Sequence, residues 1–478
     1  MADVLDLVAR LAAFDQQRAI RHASHRQVAI QPHTLIMCPL AMAGEDTAVH
    51  AIAIGGINQP PEICVIGDPR QRDEQYALIA WLGERIERYF GACRARGDFP
   101  QFWVSSSAAA GHLDILADRL RFTRDNPPIK RVGELLTYAT ERMPYAGQQA
   151  LMTATGALST LFATGQHQGD DEHLGVFLTW LAPPPGLSLQ NAIVQAEREV
   201  MGVKTDPEFD RLTLQPLVSA YDAAKKSGAS PQELQFRYQQ VASVLTPIVT
   251  RIYDAVQQAL RWLDQPIPEA PVLGELRRQE ASAFASFMLG RDAGAALPYR
   301  DGPKAAAFKM VEREHALQSL AADQSYGDRM AAARSRWTGH LISGSVVGGT
   351  SVREGKKTVH RLVIASEQVN LHLRPRDQLV LTRDPRLQVV VEDVRIASEG
   401  THLHVRIKKG HQAVGVPLTG AQVELGADRA NWDMLIRKRG RMAARLTTLP
   451  WTHTDGPAPA MQPLAVPTDL QAAIEALR

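Results

Sequence analysis

The sequence predicts a multidomain α+β protein: an N-terminal mixed α/β domain, a central helical stalk or bundle, and a small antiparallel β-barrel near the C-terminus. Three observations carry this. The chain has 478 residues, too many for one ordinary core and enough for roughly three domains at about 150 residues each. Its hydrophobic period changes along the chain, from mixed to helical to strict alternation. Its charge is polarised: residues 334–445 hold 20 Lys+Arg against 10 Asp+Glu, net +10, while the rest hold 33 against 41, net −8.

Composition narrows the class further. A hydrophobic fraction of 45% and a charged fraction of 22% belong to a soluble globular chain, with no apolar run long enough to cross a bilayer. The opening MADVLDLVARLAAFDQQ mixes acids with apolar residues and lacks the basic start and continuous apolar run of a signal peptide. It reads as an amphipathic helix of a cytoplasmic protein with no membrane partner. Cys38, Cys64 and Cys93 are odd in number and lack metal-knuckle spacing, so they read as buried thiols in a reducing compartment.

Proline-rich breaks at 182–186 (APPPG), 265–271 (QPIPEAP) and 456–467 (GPAPAMQPLAVP) predict linkers or sharp turns, because proline fixes φ and removes a donor. The domains expected from these breaks and from the change of period are 1–181, 187–337, 338–446 and a tail at 447–478. In the first, 33–42, 48–56, 62–67 and 101–105 read as strands, and 73–90 and 111–120 as helices. In the second, 189–263 is helical by period with a turn at 226–231, and two or three more helices follow over 275–337. In the third, 339–347, 358–365, 378–382, 388–397, 401–408 and 421–425 alternate as short strands between turn residues, the pattern of a small barrel.

The basic residues of that barrel are the strongest functional signal. Arg353, Lys356, Lys357 and Arg361 mark one hairpin, Arg374 and Arg376 a turn, Arg406, Lys408 and Lys409 another, and Arg437, Lys438, Arg439 and Arg441 a following segment. Cationic clusters at loop tips can follow a phosphate backbone, so the expected partner is nucleic acid, DNA before RNA. The bland alternative is a solvated edge whose lysines oppose strand aggregation. Trp337, Trp432 and Trp451 stand only near the ends of the region, which favours backbone contact over base readout.

Catalytic motifs are incomplete. The stretch 349–358 (GTSVREGKKT) resembles a phosphate loop, but its glycines are one residue too far apart and Lys357 stands where Ser or Thr should be. It reads as a basic hairpin tip. Ser105, Ser106, Ser107, His112 and Asp114 lie close together without a nucleophile elbow, and read as a strand-to-helix turn with a serine cap. His402 and His404 share a strand face with His411 nearby, without further ligands at metal spacing. The expectation is a chain without catalytic residues, cofactor or metal.

The order of helical stalk, basic six-strand barrel, proline-rich linker and short helix over 275–478 resembles the region preceding the motor core of Upf1/Dna2-like superfamily 1 helicases. TDLQAAIEALR at 468–478 looks like the helix that carries that family's adenine-reading glutamine, with Gln471 and Ile474 in the matching places. The resemblance implies stalk and barrel gripping nucleic acid beside a motor on another polypeptide, a helicase or nuclease partner, and a role in DNA repair or anti-phage defence. The N-terminal region is similar in outline to RNase H-like exonuclease domains sometimes joined to such helicases. Those nucleases hold two metals with several carboxylates. Here the first strand, TLIMCPLAM, contains no acid, and SSS follows FWV, leaving Asp68, Asp114 and Asp118. A degenerate domain is therefore implied. Two alternatives remain at this point: a metal-dependent nuclease using those aspartates, and a scaffold whose acidic helices dock a partner protein.

Overall fold

The computed structural model describes residues 4–45, 47–295, 301–355, 357–397, 400–427 and 439–444, together with Gly456, Pro457 and Ala460. The chain is mixed α and β and divides into two compact units. One comprises Met1–Leu297 with Ala316–Ala430, the other Pro298–His315 with Asn431–Arg478.

In the N-terminal part of the first unit the strands are β1 (Ile20–Arg21), β2 (Leu35–Ala41), β3 (Val49–Gly56), β4 (Glu62–Val65), β5 (Phe102–Val104), β6 (Leu151–Thr153) and β7 (Phe162–Ala163). β1 and β7 form a small antiparallel pair, and the other five make one sheet in the order β4-β3-β2-β5-β6. β2, β3 and β4 run as an antiparallel meander, while β5 and β6 lie parallel to β2. Parallel neighbours require crossover connections, and helices supply them: Arg72–Arg96 before β5, and Ser107–Arg121 with Pro127–Thr140 before β6. Neither the last of these helices nor β6 is among the elements expected from the sequence, although Asn126 caps that helix, Pro127 and Pro128 open it, and Ile129, Val132, Leu135 and Leu136 recur at helical spacing.

The pleat sends alternate residues of each strand to opposite faces. Met37, Ile52, Ile54, Phe102 and Val104 meet Leu78, Leu82, Ile86 and Phe90 of the Arg72–Arg96 helix on one side. Ile36, Cys38, Leu40, Ala51 and Trp103 meet Leu245, Val249, Ile252, Tyr253 and Val256 of the Pro231–Leu263 helix on the other. The core thus continues across the APPPG break, and that long helix forms the roof of the sheet instead of standing apart as a stalk. The 265–271 segment is likewise packed: Arg26 exchanges backbone hydrogen bonds with Pro268 and Ala270, and Ile267 and Ala270 are buried.

Helices at Leu273–Asp292, Pro303–Gly327 and Arg329–Trp337 lead to the second sheet. Its strands are β8 (Ile342–Glu354), β9 (Lys357–Ser366), β10 (Gln378–Leu381), β11 (Asp384–Ala397), β12 (Gly400–Lys409) and β13 (Gln422–Ala427). They are antiparallel throughout, follow the order β10-β11-β12-β9-β8-β13, and close through the β13–β10 pair. Ile342, Val346, Leu362, Ile364, Leu381, Val389, Val391, Leu403, Val405, Val423 and Leu425 fill the interior as a cluster separate from the N-terminal core. Register shifts at Val346/Gly348 and Val391/Asp393 are bulges, and the second leaves Glu392 as the extra residue of β11. The 349–358 stretch is the β8–β9 hairpin, with Glu354 opposite Lys357, and opens no helix. The tail at 447–478, including the segment around Gln471 and Ile474, lies outside the described residues except for Gly456, Pro457 and Ala460.

Candidate nucleic-acid interface

Register determines which barrel loops share an end. β12 runs antiparallel to β9 and β11, with Arg406 opposite Arg361 and Lys409 opposite Gln388. Its C-terminal end therefore lies beside the start of β9 and the start of β11. The β8–β9 tip with Arg353, the β10–β11 turn with Arg383 and Arg386, and the end of β12 with Lys408 and Lys409 all project from the same end. Each of these five side chains is exposed. Gly410 makes the crowding possible: it has φ +93°, and a Cβ there would run into the Arg386 carbonyl oxygen.

Ion pairing then sorts the cations. Arg361 is held by Glu354 (Nη1–Oε1 3.0 Å) and Glu392 (Nε–Oε2 3.1 Å), and Arg406 by the other oxygen of Glu392 (Nε–Oε1 3.2 Å). The bulged Glu392 thus bridges two arginines that face each other across β9 and β12. Hydrogen bonds to Glu354 and Glu392 raise the Arg361 pKa still further. Arg386 is clamped by Asp384 at 2.6 Å. Lys408 donates to the neutral Gln378 amide oxygen (2.8 Å) and forms no ion pair among the described residues. Arg353, Arg383 and Lys409 form no ion pair among the described residues. Arg383, between β10 and β11, was missed in the sequence; it carries no motif, only its place in a hairpin turn.

The other expected contact residues are elsewhere. Arg374 and Arg376 are exposed and free of ion pairs among the described residues, but they sit on the turn before β10, where the Arg376 amide (φ 79°) donates to the Val391 carbonyl at 2.7 Å. That places them beside the middle of β11, away from the basic end. Arg439 belongs to the second unit, where it pairs with Glu312 (3.5 Å) and lies over the Phe308 ring (5.0 Å). Lys356, Arg437 and Lys438 lie outside the described residues, as does the side chain of Lys357. Trp337 is exposed, and Trp432 and Trp451 lie outside the described residues.

The chemical candidates resolve differently from their sequence proximity. His402 and His404 are on the outer face of β12, whereas His411 packs against His360 (ring centroids 4.9 Å), whose Nδ1 meets Ser351 Oγ at 2.7 Å. Ser105 and Ser106 are buried, and Ser106, at the N-cap position, makes no side-chain cap bond. Glu172 provides the acceptor instead, taking hydrogen bonds from the Ser107 amide (3.0 Å) and hydroxyl (2.7 Å). A carboxylate at a helix N-terminus is favourable to the helix dipole. Asp114 and Asp118 are on the exposed face of the Ser107–Arg121 helix, with Asp118 bound to Arg121 at 2.6 Å. Asp68 is buried in the turn after β4, accepting from the Arg70 amide at 3.0 Å. Among the described residues no three His, Cys, Asp or Glu side chains converge as metal ligands. Cys38 and Cys93 are buried and Cys64 half-buried, and burial pushes the Cys93 thiol up to about 11.

Among the described residues no helix is long and apolar enough to cross a membrane. Comparison with protein-family models, curated proteins and solved structures gave no match.

Proposed function

We propose that this chain is a non-catalytic nucleic-acid-binding subunit whose barrel end grips a phosphate backbone, acting with a helicase or nuclease in DNA repair or defence against foreign DNA. The observation that carries the reading is the gathering of Arg353, Arg383, Lys408 and Lys409 at one end of the barrel, with no carboxylate neutralising them among the described residues. Uncompensated cations on rigid hairpins gain most from phosphate, because each neutralised phosphate releases a condensed counterion. The closed six-strand sheet supports the likeness to the inserted barrel of Upf1/Dna2-like helicases. The β4-β3-β2-β5-β6 order, with its meander followed by two parallel strands, supports an RNase H-like N-terminal outline. In that outline the missing acid on β2 and the turn-bound Asp68 favour a structural or partner-binding role over metal-dependent cleavage.

The test is fluorescence anisotropy with labelled single- and double-stranded DNA and RNA across a salt series. Combined substitution of Arg353, Arg383, Lys408 and Lys409 by Glu should weaken binding at every sequence and flatten the duplex salt slope by about 0.9 per lost phosphate contact. Arg361→Ala, which removes an already paired cation, should change affinity far less. Absence of binding at low salt, or equal effects from both variants, overturns the reading.

A further inference from the structure

The Val4–Gln16 helix is mounted with its apolar face outward. Ala9 and Ala13 are buried, whereas Val4, Leu7, Val8, Leu11 and Phe14 are 60%, 51%, 56%, 56% and 55% exposed. Two contacts hold this orientation. Arg10 reaches inward to Asp171 (2.9 Å), the Gln166 carbonyl (2.9 Å) and Thr164 (3.3 Å), and Asp171 is itself buried. Gly165 lets the helix backbone approach closely, since a Cβ there would lie 2.6 Å from Phe14 Cα. Rolling the large side chains inward would break the Arg10–Asp171 pair, so the stripe stays outside.

We infer that this stripe is a self-association surface on which two copies of the chain pair by a two-fold axis. Val4, Leu7, Leu11 and Phe14 repeat at spacings of three and four, the a and d positions of a helix–helix seam, and Val8 widens it. Together the five side chains expose on the order of 500 Å², at the upper end for a monomer's largest apolar patch. Pairing two such faces removes about 1,000 Å² in total, the threshold for a specific interface. Charge favours a second copy over an anionic lipid surface: Asp15 shares the stripe's side of the helix, and the helix's one basic residue, Arg10, is already engaged by Asp6 and Asp171.

Sedimentation velocity of the full chain over a hundredfold concentration range up to about 100 µM tests this. The wild type should convert from monomer to dimer. Leu11→Glu should weaken dimerisation at least about 100-fold by placing a charge in the seam, with an unchanged thermal midpoint at concentrations where the wild type is monomeric, because the site is exposed in the monomer. Leu11→Cys should form an intermolecular disulfide under mild oxidation. A wild type that stays monomeric throughout, a dimer indifferent to Leu11→Glu, or a monomer that instead floats with phosphatidylserine vesicles overturns the inference.

Discussion

β2 in the N-terminal sheet and β12 in the barrel differ in what each face meets. β2 is buried at six successive positions, Ile36 to Ala41, because helices cover both faces of its sheet. β12 alternates, with Leu403, Val405 and Ile407 inside and His402, Arg406 and Lys408 outside, because a small barrel has one packed face. The two regions therefore treat charge differently. The α/β region places its key charges in partly buried pairs and small networks, such as Arg10 with Asp171 and Asp6, Arg26 with Glu269, and Arg142 with Glu280. The barrel displays its charges on an outer wall, where strand register decides which are neutralised. The lesson is that the net +10 of residues 334–445 overstates the available charge along the β9–β12 wall and understates its concentration at one end.

The sharpest way to break this contrast is at Glu280. It is 2% exposed, accepts from both Nε and Nη2 of Arg142, and also from the Gln149 amide. Glu280→Ala leaves the partly buried Arg142 guanidinium and the Gln149 amide without their acceptor and should cost about 3 kcal/mol of unfolding free energy, the low end for a buried pair because Arg142 keeps some solvent. Urea melts that moved by less than about 1 kcal/mol would place this pair with ordinary surface pairs.

Next comes His50, a fully buried imidazole on β3. Burial lowers its pKa to about 4, only partly offset by the backbone of Gly67 and Ile66. The unfolded chain, with a histidine pKa near 6.5, binds the proton more readily, so stability falls as pH drops from about 6.5 to about 4 and levels off below that. The loss from this one group is about 3 kcal/mol. Chemical denaturation at a series of pH values should show this slope in the wild type and a flattened one in His50→Leu. An identical slope in both proteins would assign the pH dependence to other groups.

The smallest effect sharpens the barrel side. Glu392→Gln removes the carboxylate shared by Arg361 and Arg406 without removing the bulge. Freeing Arg406, and leaving Arg361 with Glu354 alone, should raise nucleic-acid affinity about two- to three-fold at low salt and steepen the salt dependence, while stability changes by less than about 1 kcal/mol because the pairs are solvent-exposed. Unchanged affinity would restrict the interface to the end loops.

Much of this architecture is legible in local pattern. The six expected barrel strands fall on β8 to β13, and the helical period at 73–90 lies within Arg72–Arg96, because alternation and the 3.6-residue repeat are properties of neighbouring residues. β6 escapes notice because LMT is too short to show a period, and it is recruited as a strand by β5 beside it. Glu172 escapes for a related reason: its partner, Ser107, is 65 residues away.

Local sequence thus specifies the longer elements, the interior of each barrel strand, and the excess of positive charge near the C-terminus, since each depends on residue type and spacing. Which helix roofs the first sheet, which way the Val4–Gln16 helix turns its apolar stripe, and which arginines are left free depend on long-range packing. A one-residue bulge at Glu392 and the shared register of β9, β11 and β12 assign the ion pairs. Coulombic partners are chosen by distances of a few ångströms between strands, and those distances exist only after the sheet has closed.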